Sequence, residues 1–254
     1  MDDVNKEKCG EVAGRAALII GNECEFWGIQ EFVAAARWAK AHGIDTINPK
    51  RANGADRWYK KAAQLAEEYR AVTAEGVGYI PFGYVYTLPR CYGMGYIEAQ
   101  AELMIEMQRT IGALQPDTIG WVMADMEVEM NGRLDCAECF TQLLAPGRDL
   151  LFVTSWADPR EQNWLGVLNI LRNCLNCFLP QAYNDWLESR EYAELPQDMC
   201  IQTMIDLTQE FGANQQIAIA QAAKAHGQTT IWMWEYQAAL RNPALVDELV
   251  REML

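Results

Sequence analysis

A helix-like run that ends in Ala-His-Gly and drops at once into a short apolar strand occurs near both ends of the chain. Lys40-Ala41-His42-Gly43 precedes Ile44-Asp45-Thr46-Ile47-Asn48, and Lys224-Ala225-His226-Gly227 precedes Gln228-Thr229-Thr230-Ile231-Trp232. Glu75-Gly76 leads into Val77-Gly78-Tyr79-Ile80 in the same way. A glycine just past a helix supplies the left-handed C-cap, and Lys and His in the last turn suit the negative end of the helix dipole. The same junction at such distant places implies one helix-then-strand architecture from end to end.

Short apolar or alternating runs place strands near 16–21, 44–49, 77–86, 119–127, 150–156, 177–183, 200–205 and 229–235. Helical periodicity falls between them, at 29–42, 57–75, 94–113, 134–144, 161–173, 186–194, 213–226 and 243–253. The last helix has Asn242 as N-cap, Pro243 in the first turn, and Leu245, Leu249 and Val250 on one stripe. Eight strands alternating with helices over 254 residues predict an α/β fold, a (β/α)₈ TIM barrel formed as a single domain over 1–254. An open doubly wound sheet is the competing layout, but Gly21-Asn22-Glu23-Cys24-Glu25 after the first strand lacks a Gly-rich phosphate fingerprint.

The formal charge of −14 argues against nucleic acid and anionic membrane as partners. The polar start, Met1 to Lys8, has no signal-peptide core, and no run approaches the ~18 apolar residues of a membrane span. The expectation is a soluble chain, cytoplasmic as synthesised, with release by another route open. Eight cysteines include two C-x-x-C pairs, Cys136/Cys139 and Cys174/Cys177. Both pairs read as helical or helix-end sequence at opposite faces of the barrel. Free structural thiols are therefore expected rather than a zinc site, with no metal and no cofactor.

In such a barrel the chemistry lies at the C-terminal ends of the strands. Both histidines, His42 and His226, fall at helix C-termini and hence on the other face. That makes Ser-His-Asp, Cys-His and His-rich metal chemistry improbable and leaves carboxylates, tyrosine and amides. Asp125-Met126-Glu127-Val128-Glu129 ends the fourth strand, and residues two apart on a strand share a face. Like charges held together push their pKa values apart, so one keeps a proton while the other stays ionised. The alternative is that they pair with Lys50 or Arg51. Glu129 reads as a solvated loop charge. Other strand ends offer Glu23, Tyr84, Trp156, Gln181, Tyr183, Asn184, Asp206 and Trp234. Trp27, Trp58, Trp156, Trp186 and Trp234 all fall at or just after strand ends, and aromatic faces stack on sugar rings.

Asp125-Met126-Glu127 resembles the D-x-E motif of family 25 lysozyme-type muramidases and the tail of the family 18 chitinase motif D-x-x-D-x-D-x-E. Gln181-Ala182-Tyr183-Asn184 is similar to the chitinase M-x-Y-type strand, and Trp232-Met233-Trp234-Glu235-Tyr236 to the W-Q-Y strand that ends family 25 barrels. The first strand departs from the family 25 pattern G-I-D-x-S: Ile20-Gly21-Asn22-Glu23 stands there, with Glu23 or Glu25 in place of the aspartate. The resemblance implies a glycoside hydrolase-like protein acting on an N-acetylated polysaccharide, peptidoglycan or chitin-like. It implies Glu127 as general acid and Asp125 as the group that raises its pKa and orients the N-acetyl. Tyr183 would hydrogen-bond the intermediate and Trp234 would form the sugar-site floor. Trp156, Tyr84, Gln181, Asn184, Glu23 and Asp206 would complete the substrate contacts. Two other readings remain open: a non-catalytic carbohydrate-binding or structural barrel, and a magnesium-dependent lyase or aldolase barrel using Asp125, Glu127 and Glu23.

Overall fold

The computed structural model describes residues 13–86, 93–114, 121–126, 130, 132–144, 151–156, 164–172, 177–182, 200–208 and 212–254. The strands are β1 (Ala16–Ile20), β2 (Thr46–Asn53), β3 (Gly78–Tyr79, resuming as Phe82–Tyr84), β4 (Val122–Asp125), β5 (Leu151–Trp156), β6 (Cys177–Gln181), β7 (Cys200–Ile201, resuming as Thr203–Asp206) and β8 (Ile231–Trp234). Each pairs in parallel with the next. β8 also pairs with β1, which pairs with β2, so the sheet closes on itself. The described helices are α1 (Ile29–Ala41), α2 (Ala62–Ala74), α3 (Gly93–Gly112), α4 (Leu134–Leu144), α5 (Trp164–Leu171), α6 (Ala213–Ala225), α7 (Tyr236–Arg241) and α8 (Pro243–Glu252). This is the (β/α)₈ TIM barrel expected from the sequence.

The predicted junctions form as expected. Gly43 and Gly227 adopt φ of 71° and 79°, a region in which a side chain would be strained. The amide of Ile44 donates back to the Ala39 carbonyl at 2.9 Å, and that of Gln228 to Ala223 at 3.1 Å. His42 and His226 are the C-cap residues of α1 and α6, away from the strand C-termini. His42 Nδ1 lies 2.7 Å from Asp247 Oδ1 on α8.

Strand alternation splits the core in two. Ala17, Ile19, Phe82, Met123, Phe152, Leu179, Met204 and Trp232 point inward and fill the barrel lumen. Leu18, Ile20, Ile47, Val122, Val153, Phe178, Ile231 and Met233 point outward against the helices. Both faces are buried, which is why the strands read as nearly continuous apolar runs.

Four sequence expectations need correction. The strand near 77–86 is broken at Pro81, which has no N–H to give the ladder. The helix expected from residue 57 begins at Ala62, because Asp56–Arg57 turns back on β2 as an antiparallel hairpin through Gly54, with φ of 61°. Helix α7 and a 3₁₀ turn at Asn22–Phe26 were not anticipated. Cys177 does not close a helix: it opens β6, buried in the lumen, with its thiol 3.3 Å from that of Cys200 on β7. Cys136 and Cys139 do lie on α4, as free thiols. Cys174 and the helix expected at 186–194 lie outside the described residues. Among the described residues, no helix is long and apolar enough to cross a membrane.

Candidate functional site

One layer above the apolar lumen, the inward-facing positions change character. Continuing each strand's alternation upward, Asn48 is followed by Lys50, Phe82 by Tyr84, Met123 by Asp125, Leu179 by Gln181, Met204 by Asp206 and Trp232 by Trp234. The C-terminal mouth is thus lined by charged, amide and aromatic side chains over an aliphatic and aromatic plug. Asp125, Gln181, Asp206 and Lys50 are all buried, at 5–7% exposure, so their polar groups face each other and the mouth rather than bulk water.

Asp125 ends β4, in register with Tyr84 on β3 and Thr154 on β5. The Gln181 amide reaches Asp125 Oδ1 and Thr154 Oγ1, each at 3.4 Å, long for a hydrogen bond. That places predicted residues Asp125 and Gln181 in one cluster. Tyr84 stacks obliquely on Tyr86, with ring centres 4.6 Å apart.

Across the barrel, Asp206 ends β7 beside Trp234 on β8. Both Asp206 oxygens accept hydrogen bonds from Thr208, from its amide at 2.8 Å and its hydroxyl at 2.6 Å. The Trp234–Glu235 peptide that follows is cis. The Trp234 ring and the Glu23 carboxylate crowd the backbone at Gly21. A Cβ there would lie 3.1 Å from Trp234 Cη2 and 3.3 Å from Glu23 Oε2, tight contacts that would push both side chains back by a few tenths of an ångström. Burial raises the Glu23 carboxyl above its ordinary range. Bonds from its own and Gly21's backbone oppose this, and the charge of Glu235 adds to it. Burial likewise raises Glu235, against the pull of Arg241 and with a further push from Asp206. Glu23 Oε1 is buried with no hydrogen-bond partner among the described residues. Asp206, Glu235 and Glu23 therefore form an electrostatically linked run over β7, β8 and β1.

Lys50 sits between the two halves. Its ammonium donates to Asn22 Oδ1 at 2.9 Å and lies 5.0 Å from the ring centre of Trp58 and 5.2 Å from that of Tyr84. Arg51, offered above as a partner for the β4 carboxylates, is on the other side of the wall. It pairs with Glu68 of α2 at 3.0 Å, both side chains fully buried. The reason is strand parity: residues 50 and 51 face opposite ways.

Lys50, offered from sequence only as an ion-pair partner, and Glu235, named only within the last strand's end, are members of the mouth given no substrate role from sequence. The alternation Thr46, Asn48, Lys50 against Ile47 carried the signal for the first. Glu127, Glu129, Tyr183, Asn184 and Trp186 lie outside the described residues. Trp156 pairs in register with Gln181, and its side chain is outside the description too. Trp27 packs edge-on against Phe32 and Tyr236 at 5.3 and 5.5 Å, a rim-packing role rather than a place in the lumen. Among the described residues, no group of three or more His, Cys, Asp or Glu is gathered to hold a metal ion.

No protein-family model matches the sequence, and no curated protein matches it. Solved structures do share the fold. A broad-specificity endoglucanase from Clostridium longisporum is 10% identical with a TM-score of 0.62, over 100% of this chain and 99% of that one. A chitinase from Chromobacterium violaceum is 8% identical with a TM-score of 0.60, over 94% and 98%. A putative aldo-keto reductase from Pseudomonas aeruginosa is 14% identical with a TM-score of 0.56, over 94% and 90%. Two glycoside hydrolases thus stand among the structural neighbours beside a putative aldo-keto reductase, and at these identities the likeness is one of fold: the chain is a TIM barrel.

Proposed function

We propose that the chain binds and hydrolyses an N-acetylated polysaccharide, peptidoglycan or chitin-like, at the C-terminal mouth of the barrel. The observation that carries this reading is the mouth layer itself, with Asp125 and Asp206 on strands well apart around the barrel, the Gln181 amide, and the Tyr84 and Trp234 rings. Sugars need this mixture: carboxylates and amides for hydroxyl and N-acetyl groups, flat aromatic faces for ring C–H surfaces. The presence of glycoside hydrolases among the structural neighbours is compatible with it.

In this reading Glu127, two residues beyond Asp125, protonates the leaving oxygen as general acid. Asp125, held toward Gln181, orients the substrate N-acetyl group. That group's carbonyl attacks the anomeric carbon, a substrate-assisted variant of the two-carboxylate scheme. Tyr183 hydrogen-bonds the resulting intermediate. Trp234, fixed over Gly21, is the floor on which the sugar ring stacks.

The test is reducing-end release from N-acetylglucosamine oligomers and peptidoglycan by wild type, Asp125→Asn and Glu127→Gln. Cleavage by wild type and loss in both variants supports the assignment. Binding without cleavage by wild type makes the chain a carbohydrate-binding barrel. Glu127→Gln turning over at the wild-type rate removes Glu127 as the acid.

A further inference from the structure

Beside the mouth, outside the lumen, a cleft of about 690 Å³ opens between the loop after β1 and the loop after β2. Its size falls within the ~300–1,000 Å³ of ligand clefts. Phe26 and Trp27 stand on one wall and Trp58 on the other, with Tyr59, only 3% exposed, behind it, and Glu25 and Lys60 add polar side chains to the lining. Phe26 is 88% exposed. A lone exposed phenylalanine is ordinary, but here it stands in a cleft with three further aromatic residues.

The two walls are locked together from behind by Arg51. Its Nη1 donates to the Cys24 carbonyl at 3.0 Å, in the turn that carries Phe26. Its Nη2 donates to the carbonyl of Trp58, whose own amide returns a bond to the Arg51 carbonyl at 2.9 Å. Glu68 neutralises the guanidinium and is held in turn by Gln64 at 3.1 Å and Tyr79 at 2.8 Å. A fully buried ion pair is costly to install, and this one fixes the separation of two aromatic loops rather than lining the lumen. The cleft is therefore preorganised, which spares a ligand the cost of ordering those loops. It also borders the mouth, because Trp58 lines the cleft and its ring lies 5.0 Å from the Lys50 ammonium.

We propose that this cleft is an extension subsite that holds the sugar units flanking the bond presented at the mouth, so that the protein recognises a polymer rather than a short oligosaccharide. The proposal rests on the carbohydrate reading above. The class of ligand follows from aromatic side chains flanked by hydrogen-bonding groups and from the cleft's place beside the mouth.

The experiment measures binding of the dimer and the hexamer of N-acetylglucosamine, by calorimetry, to wild type, Phe26→Ala and Phe26→Trp. Phe26 is exposed, so its truncation leaves the fold intact, and a melting curve checks this. The wild type should bind the hexamer about tenfold tighter than the dimer. Phe26→Ala should lose most of that advantage with dimer binding unchanged, and Phe26→Trp should restore it. Equal hexamer binding by wild type and Phe26→Ala overturns the extension subsite while the function at the mouth stands. If neither oligomer binds the wild type, the carbohydrate reading itself fails and the subsite falls with it.

Discussion

Lys50 and Arg51 are neighbours in sequence, and both bury a cation, yet the barrel wall passes between them. On the outer side Arg51, Glu68 and Tyr79 form a sealed set in which the two charged side chains have no exposure at all. On the inner side Lys50, Asp125, Gln181 and Asp206 keep 5–7% exposure and border the mouth. The sealed set buries its charges against each other and holds two loops in place. The open set lies at the strand C-termini, and each side of the wall holds a buried side-chain atom with no hydrogen-bond partner among the described residues, Glu23 Oε1 near the mouth and Arg51 Nε behind it. Burial of charge alone therefore does not mark a site. What distinguishes the two is position: one set lies behind the wall against α2, the other at the strand C-termini, where a barrel of this kind carries its chemistry.

The largest effect expected from this contrast is on the sealed side. Arg51→Met leaves Glu68 buried without its counter-ion, with only Gln64 and Tyr79 to hold it, so unfolding free energy should fall by ~3–5 kcal/mol. Arg51→Met combined with Glu68→Leu removes both charges and should recover much of that loss. Chemical denaturation of the two variants checks it. A single variant within ~1 kcal/mol of wild type would mean that the outer pair is not the structural clamp described above.

On the open side the effect should be on turnover with little on stability. Asp125→Asn keeps an acceptor for the Gln181 amide, and Glu127→Gln keeps shape while removing a transferable proton. Each should lower the rate on N-acetylglucosamine oligomers by ~10²-fold or more, the usual worth of general acid catalysis. Oligomer binding should persist. A large loss of stability in Asp125→Asn would place Asp125 with the structural charges and blur the contrast.

Glu23 sharpens the comparison through pH. Burial raises its folded-state carboxyl above the ordinary 4.5, so within the window between 4.5 and the raised value the native state binds more protons than the unfolded chain. Its contribution is therefore most favourable below pH 4.5 and is lost as pH rises through the folded value. Glu23→Gln, which cannot ionise, should melt higher than wild type at pH 7, with the difference closing as pH falls below 4.5. Melting curves across that range decide it. An unchanged gap at all pH values would mean that the buried oxygen carries no ionisation penalty.

Much of the barrel was legible because its signals are local. Gly43, Gly76 and Gly227 marked helix ends, and apolar runs marked each strand to within a few residues. The hairpin at Asp56–Arg57 was signalled only by Asn53-Gly54, and the long helical pattern from residue 57 overrode it. The strand ends named from sequence included Asp125, Gln181, Asp206 and Trp234, and alternation brought these four to one mouth. The pairing of Arg51 with Glu68 was not legible, since it depends on which way each residue of β2 faces and on a bulge after Lys50. Trp27 and Trp58 were named from sequence, but their convergence on one cleft was not legible, because it is set by a loop-to-loop clamp through backbone carbonyls, and these leave no residue-type signature.

The smallest expected effect lies at the opposite end of the barrel. His42 Nδ1 and Asp247 Oδ1 are 2.7 Å apart, but Asp247 is 49% exposed, and the histidine is also stacked on Trp38 with ring centres 4.3 Å apart. Such a partly exposed contact, an ion pair only when the imidazole is protonated, is worth ~0–1 kcal/mol and its charged part is screened by salt. Asp247→Asn should therefore change unfolding free energy by less than ~1 kcal/mol, with the difference shrinking further in 1 M salt. It should leave turnover untouched, because α1 and α8 meet here at the face away from the mouth. A large loss of activity in this variant would tie the two ends of the barrel together and undo the separation of a structural face from a chemical one. Denaturation and reducing-end assays on the same preparation measure both.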